Sequence, residues 1–129
     1  MYKAILFDLD GTLTESGEGI TKCVQYALEK LGKPEEDLKK LEVFIGPPLK
    51  EQFMQYAGLD KETAVKAVEY YRERYSNVGI FENKPYLGVE NMLRELKRKK
   101  YILAVASSKP EYYVKQILDH FYLTEYFDE

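Results

Sequence analysis

Two short runs of consecutive apolar residues predict buried strands, one near each end of the chain. The first run covers residues 3–7, and the second, YILAVA, covers residues 101–106. Strands that are apolar at nearly every position are typical of parallel sheets, in which helices cover both faces. We therefore expect both runs to belong to a parallel sheet that is covered on its two sides.

Apolar residues recur at helical spacing between the two runs and predict four helices. The first is expected to end at Gly32, the second to begin at Pro34 with Leu38 and Leu41 inward, and the third to end near Ala57. Asp60 suits the N-cap of the fourth helix. The buried face of that helix is predicted to carry Ala64, Val65, Val68, Tyr71 and Tyr75.

The pattern changes after residues 83–85, where one helix is expected before the second apolar run and another after it. The apolar positions that predict these two helices are Val89, Met92, Leu93 and Leu96, then Val114, Ile117, Leu118 and Phe121. Strand–helix–strand–helix thus brackets an all-helical insert. We predict an α/β fold with a discontinuous core, residues 1–14 and 82–129, and a helical domain, residues 15–81.

Two strands are few for a parallel sheet, because a typical sheet has about four to six. Two such strands would leave open edges, which natural proteins avoid. The pattern therefore indicates part of a larger α/β unit. The same open edge offers a surface for self-association.

Composition excludes several classes of partner. The chain has 129 residues, 45% of them hydrophobic, and a net charge of -3, so we expect neither nucleic acid nor an anionic membrane as partner. One cysteine, Cys23, allows no internal disulfide and fits a reducing compartment. The N-terminal apolar run ends at an acid and does not resemble a signal peptide. We expect a cytoplasmic protein.

Residues with chemical potential follow both predicted strands. Asp8 and Asp10 follow the first, and Ser107, Ser108 and Lys109 follow the second. Ligands of open α/β sheets bind beyond the carboxyl ends of the strands. Two carboxylates this close need a cation to offset their repulsion. One could act as nucleophile and the other as acid and base on a phosphoryl group held with Mg²⁺.

The motif FDLDGTLTES resembles the first motif of the haloacid dehalogenase (HAD) superfamily, specifically its phosphatases, and VASSKP resembles the second. The helical insert stands where these proteins carry a C1 cap. FIGPPLKEQF and KPYLGVENML are similar to phosphoglycolate phosphatases. The resemblance implies a HAD-like Rossmannoid parallel-sheet core, incomplete here, with an inserted helical cap, and a Mg²⁺-dependent phosphatase acting on a small phosphorylated metabolite.

The resemblance also implies roles for individual residues. Asp8 would be the nucleophile and a side-chain Mg²⁺ ligand, and Asp10 the general acid and base, with its backbone carbonyl on the metal. Ser107 would bind the phosphoryl group, with Ser108 as the alternative one residue on. Candidate substrate-binding residues are Thr12, Lys109 and Lys50. Simpler interpretations are an Asp-Gly turn for Asp10, helix capping for the serines and a solvated loop position for Lys109.

The sequence departs from the family at its end. The third motif, a lysine, and the fourth, an acidic pair, are not found after Phe121, so we expect a C-terminally truncated chain. Lys50 stands where many phosphoglycolate phosphatases carry Arg, and Lys lacks the planar fork of Arg. Two alternatives stay open: a sugar phosphomutase of the same superfamily, and a truncated form with little activity that serves as a binding or structural module.

Overall fold

The computed structural model describes residues 3–128, which group into two compact units. One unit combines the two ends of the described chain, as far as Glu15 and from Lys84 onward, and the other is Ser16–Asn83. We call them the sheet unit and the helical unit. The chain passes from one to the other after Glu15 and returns after Asn83.

The elements alternate as expected for a strand–helix core interrupted by helices. In chain order they are β1 (Ala4–Phe7), α1 (Gly17–Lys30), a 3₁₀ helix (Leu38–Phe44), α2 (Leu49–Ala57), α3 (Lys61–Tyr75), a 3₁₀ turn (Gly79–Phe81), α4 (Val89–Arg98), β2 (Ile102–Val105), α5 (Glu111–His120) and a second 3₁₀ turn (Thr124–Tyr126). Within residues 3–128, no helix is long and apolar enough to cross a bilayer.

The sheet unit contains the predicted parallel pair. β1 and β2 are hydrogen-bonded in a register that runs from Ala4 opposite Ile102 to Phe7 opposite Val105. The expectation that both faces are covered is wrong, because Leu6 is 70% exposed and Ile102 is 40% exposed. Leu103, which points to the other face, is fully buried. The described residues therefore cover only one face of the sheet.

The outer edge of β2 is partly occupied by the end of the described chain. The Asp128 N–H donates to the Leu103 carbonyl at 2.7 Å, and the Leu103 N–H donates to Asp128 Oδ2 at 2.8 Å. Lys97 Nζ lies 2.9 Å from the same carboxylate oxygen. The Lys97 ammonium and the Leu103 N–H hold the pKa of Asp128 below its usual value. This edge is therefore closed at Leu103.

The helical unit is built around α1 and α3, and its helix boundaries follow local sequence features. Gly58 ends α2 with φ of 65°, a conformation in which a side chain would be strained. Asp60 caps α3, since its Oδ1 accepts the Thr63 N–H at 2.8 Å. Both boundaries confirm the sequence-based predictions. The fully buried large side chains of the unit are Leu28, Leu41, Phe44, Phe53, Tyr75 and Ile80.

Two helix predictions in this unit are wrong. Pro34 begins no helix; the next one is a 3₁₀ helix from Leu38, preceded by Asp37, whose side chain accepts the Lys39 N–H. Val65 is 42% exposed, and Ala67 is buried in its place. The buried stripe of α3 follows spacings of three and four residues through Ala64 and Ala67, and Val65 lies to one side of it.

Candidate active site

The two strands of the sheet unit end at the same level. Phe7 and Val105 are register partners, and the Ala106 N–H donates to the Phe7 carbonyl at 2.8 Å. Asp8 therefore follows β1 at the point where Ala106 and Ser107 follow β2. The carboxyl ends of parallel strands are where open α/β sheets bind ligands.

The loop after β1 is held by buried leucines and a tight turn. Leu9 and Leu13 are fully buried, and the Leu9 carbonyl accepts the N–H groups of Thr12, Leu13 and Thr14 at 2.9–3.2 Å. Gly11 has φ of 82°, which the turn requires. These contacts fix the backbone between the two acids, so the loop is a rigid platform for them.

The two acids occupy different environments. Asp8 is exposed, and its Oδ1 accepts the Leu9 N–H at 2.8 Å. Asp10 is buried. Thr12, the third candidate in this loop, is exposed, and its backbone N–H contributes to the turn. The exposed carboxylate of Asp8 can meet an incoming phosphoryl group.

The loop after β2 directs a lysine toward the first loop. The Lys109 N–H donates to Ser107 Oγ at 3.1 Å, which closes a local turn before Pro110 and α5. Lys109 Nζ lies 3.4 Å from Asp10 Oδ2, and the side chains are only 8% and 6% exposed. The interpretation of Lys109 as a solvated loop residue is therefore wrong. Ser107 is half-buried and Ser108 exposed, and neither is the N-cap of α5, which is Pro110.

A groove of about 630 Å³ lies beside the end of β2. Its walls include Val105, Ser107, Lys109 and Phe127. Neither Asp8 nor Asp10 is among its lining residues. The groove thus extends the candidate site past the β2 loop and does not contain the acids.

Lys50 lies in the helical unit, as the second residue of α2, and is half-buried. The structure brings Asp10 and Lys109 into contact. Ser107 lies in the same loop as Lys109 and accepts its backbone N–H. The predicted substrate-binding roles of Thr12, Ser107, Ser108 and Lys50 stay predictions.

The donor set for a metal is partial. Residues 3–128 contain no group of three or more His, Cys, Asp or Glu side chains that could hold a metal ion. Mg²⁺ nevertheless binds through one or two carboxylates, with water and phosphate oxygens completing its shell. Asp8 and Asp10 supply hard oxygens of the right chemistry, so the residues present fit Mg²⁺ in kind and supply only part of its coordination.

Comparison with known proteins identifies the family of this chain. Residues 5–129 match the family described as haloacid dehalogenase-like hydrolases. This chain belongs to that family. The resemblance and the fold inferred from the sequence are therefore confirmed.

Several relatives match over nearly the whole chain. A 5'-nucleotidase of Pseudomonas aeruginosa is 48% identical over 98% of this chain and 57% of its own length. The tyrosine-protein kinase PtkA of Mycobacterium tuberculosis is 36% identical over 96% of this chain and 42% of its own. A phosphoglycolate phosphatase of Aquifex aeolicus is 34% identical over 98% of this chain and 58% of its own.

A solved structure confirms the fold. The crystal structure of a predicted phosphatase from Clostridium acetobutylicum superposes with a TM-score of 0.97 at 53% identity, over 99% of this chain and 59% of that one. The chain thus spans between 42% and 59% of the length of these relatives.

The contact between Lys109 and Asp10 was not predicted from the sequence. The residues are far apart in the chain, and only the register of β1 with β2 brings their loops together. No local sequence signal specifies this contact, because it depends on the pairing of β1 with β2.

Proposed function

We propose that the complete protein hydrolyses small phosphomonoesters with Mg²⁺, through an aspartyl-phosphate on Asp8. The observation that carries this proposal is the parallel register, which brings the acid-bearing loop and the Ser107–Lys109 loop to the same end of the sheet. The names of the relatives support the same reaction class.

The first half-reaction uses the difference between the two acids. An Asp8 carboxylate oxygen attacks phosphorus, and the bond from phosphorus to the ester oxygen breaks. Asp10 gives a proton to the departing oxygen, which leaves as an alcohol. Splitting one hard displacement into two easier ones is the advantage of a covalent intermediate. In the second half, water attacks phosphorus, Asp10 takes its proton, and Asp8 and inorganic phosphate are released.

The β2 loop supplies the groups that would hold the phosphoryl oxygens. The Ser107 hydroxyl can donate to one of them, and the first N–H groups of α5, a ten-residue helix, can donate to others. Mg²⁺, held by Asp8 and Asp10, would supply positive charge that offsets the crowding of carboxylate and phosphoryl oxygens. The loop residues thus bind and orient the group that Asp8 attacks.

For the substrate we propose nucleoside monophosphates ahead of phosphoglycolate. The relative named 5'-nucleotidase is 48% identical, and the one named phosphoglycolate phosphatase is 34% identical. Lys50 also lacks the planar fork that suits a substrate carboxylate. Phosphate release from a panel that includes both substrates, measured on the complete protein, tests the order. A higher kcat/KM for phosphoglycolate than for nucleoside monophosphates would reverse the proposed order of substrates.

A cytoplasmic location is part of the same proposal.

The nucleophile is tested by Asp8→Asn in the complete protein. We expect kcat to fall by roughly 10⁴–10⁶-fold, because a catalytic unit that loses its nucleophile keeps only binding and electrostatic catalysis. Asp60→Asn is the matched control, since it makes the same chemical change at an α3 cap that Asn also satisfies. Phosphate release by Asp8→Asn at the rate of the control would refute the assignment.

Product analysis separates the phosphatase from the sugar phosphomutase. With a sugar phosphate as substrate, we expect free phosphate to accumulate in step with substrate loss. A sugar phosphate isomer, formed without release of phosphate, would favour the mutase. ³¹P NMR distinguishes the two products directly.

A further inference from the structure

Lys109 and Asp10 form a nearly buried ion pair at the point where the two strand-end loops meet. Their side chains are 8% and 6% exposed, and the charged atoms are 3.4 Å apart. Charges taken out of water are costly unless a partner compensates them. Asp8, by contrast, is exposed to solvent. The two acids of the motif are therefore unequal: one faces the incoming group, and a cation holds the other.

Backbone contacts on both sides fix this pair. On the β2 side, Ser107 Oγ accepts the Lys109 N–H, and Pro110 follows with φ of -53°. On the β1 side, the turn around the Leu9 carbonyl holds the backbone at Asp10. These bonds fix the backbone from which each of the two side chains extends. The position of the Asp10 carboxylate is thus set by the β2 loop as well as by its own.

We propose that Lys109 is a positioning residue that holds the Asp10 side chain in the orientation from which, once protonated, it delivers its proton to the leaving oxygen, and that Lys109 is not a contact for the outer part of the substrate. This inference rests on the proposed function. Lys109 lines the groove beside β2, but its ammonium is engaged with Asp10 and its side chain is only 8% exposed, so it is badly placed to reach a variable leaving group. Its nearness to the acid instead orients the group on which protonation of that leaving group depends.

The test compares leaving groups in Lys109→Gln. p-Nitrophenyl phosphate releases nitrophenolate, a stable anion that leaves without a proton. An alkyl phosphate, by contrast, releases an alcohol, so its ester oxygen must be protonated as it leaves. Because a well-placed general acid contributes about 10²–10⁴-fold, we expect kcat/KM for the alkyl phosphate to fall at least about 100-fold. kcat/KM for p-nitrophenyl phosphate and the inhibition constant of inorganic phosphate should change little, and Lys109→Arg should recover part of the loss.

Controls separate this role from others. Lys66→Gln, on an exposed lysine of α3, should leave both rates unchanged. Equal losses on both substrates, with weaker inhibition by phosphate, would show a substrate-binding lysine and overturn the inference. Equal losses with a lower urea midpoint would show a purely structural one. Asp8→Asn should abolish both activities; if it does not, the proposed function fails whatever Lys109 does.

The pair itself can be observed in the 129-residue chain without any activity. ¹⁵N-labelled lysine should show a slowly exchanging ammonium signal that disappears in Lys109→Gln. We expect Asp10→Asn to shift or remove this signal and Asp8→Asn to leave it in place. An ammonium signal that is unaffected by Asp10→Asn, in a chain with unchanged circular dichroism, would show that the two side chains do not pair and would overturn the inference.

Discussion

Arg74 and Glu82 illustrate how single side chains close the helical unit. Arg74 donates to both carboxylate oxygens of Glu82, at 2.7 and 3.2 Å, and also to Cys23 Sγ at 3.3 Å. Paired donation of this kind fixes geometry as well as charge. The guanidinium lowers the pKa of Glu82, against the opposing effect of burial, and the carboxylate raises the pKa of Arg74. The end of α3 is thereby tied to the segment that returns to the sheet unit.

Removing this carboxylate should cost stability in a pH-dependent way. The pKa of Glu82 is lower in the folded chain, so its contribution is present above the unfolded pKa and lost as pH falls through the folded one. We expect Glu82→Gln to lower the free energy of unfolding by about 1–2 kcal/mol at pH 7. The difference from the parent should vanish at acid pH. Urea unfolding at several pH values measures both.

The control for this prediction is an exposed pair. Glu95 and Arg98 lie three residues apart on α4 and are both largely solvent-accessible. Surface ion pairs contribute little, because water and salt screen them. Glu95→Gln should leave the urea midpoint unchanged. A pH-independent loss in Glu82→Gln would contradict the ion-pair explanation and indicate a packing defect instead.

Which residues could be predicted from the sequence depends on the distance of their partners along the chain. Asp60 caps its own helix through Thr63, three residues on, and Gly58 ends a helix by its own backbone; both were predicted. Lys109 meets Asp10 only because β1 and β2 pair in one register. Predicting the pair of Arg74 and Glu82 would have required the path of the segment that returns to the sheet unit, which no local pattern specifies.

At the scale of elements, α1 and the 3₁₀ turn Gly79–Phe81 approach more closely than side chains would allow. A Cβ on Gly19 would lie 2.1 Å from the Gly79 carbonyl oxygen, and one on Gly79 would lie 2.4 Å from Cys23 Sγ. The Gly19 N–H donates to the Glu82 carbonyl at 3.1 Å. Glycine is needed here for contact between two backbones, which holds the two ends of the helical unit together.

Gly19→Ala should therefore be strongly destabilising. The new methyl group would meet backbone, which cannot rotate away, so α1 or the returning segment must shift. Overpacking of this kind costs about 1–3 kcal/mol, and loss of the bond to Glu82 adds to it. Gly17→Ala is the matched control, since its Cβ would meet only the end of the Ile45 side chain at 3.3 Å. Equal melting temperatures for the two variants would contradict the close approach.

Elements were predicted where periodicity and turn residues agreed. The parallel pair, the end of α2 and the start of α3 followed from apolar runs, Gly58 and Asp60. The covering of the sheet did not, because apolar runs show that a strand is suited to burial and not what is present to bury it. Leu6, on the uncovered face, is the clearest case.

At the scale of the whole molecule, the two units differ in how well each buries its own apolar surface. The helical unit encloses large side chains such as Phe44, Phe53 and Tyr75. The sheet unit has two strands with an uncovered apolar face, although Asp128 closes one edge at Leu103. The catalytic proposal concerns the sheet unit, whereas most of the independent packing belongs to the helical unit.

The helical unit should consequently fold by itself. Residues 16–83 form one of the compact units and enclose these large side chains, and their ends are joined by the bond from Gly19 to Glu82 and by the Arg74 pair. An excised chain of residues 16–83 is near the smallest size at which single domains are stable. We therefore expect a small free energy of unfolding but a cooperative transition in urea.

The same variants connect the excised unit with the complete 129-residue chain. If the helical unit is self-sufficient, Glu82→Gln should lower the free energy of unfolding equally in the excised residues 16–83 and in the helical transition of the 129-residue chain. The reason is that effects at sites without shared partners add. Helical circular dichroism with a sharp urea transition is expected for the excised parent. A circular dichroism spectrum without helical bands, or a urea transition without cooperativity, would show that the helical unit depends on the sheet unit. The packing around α1 and α3 would then be insufficient to fold the helical unit by itself.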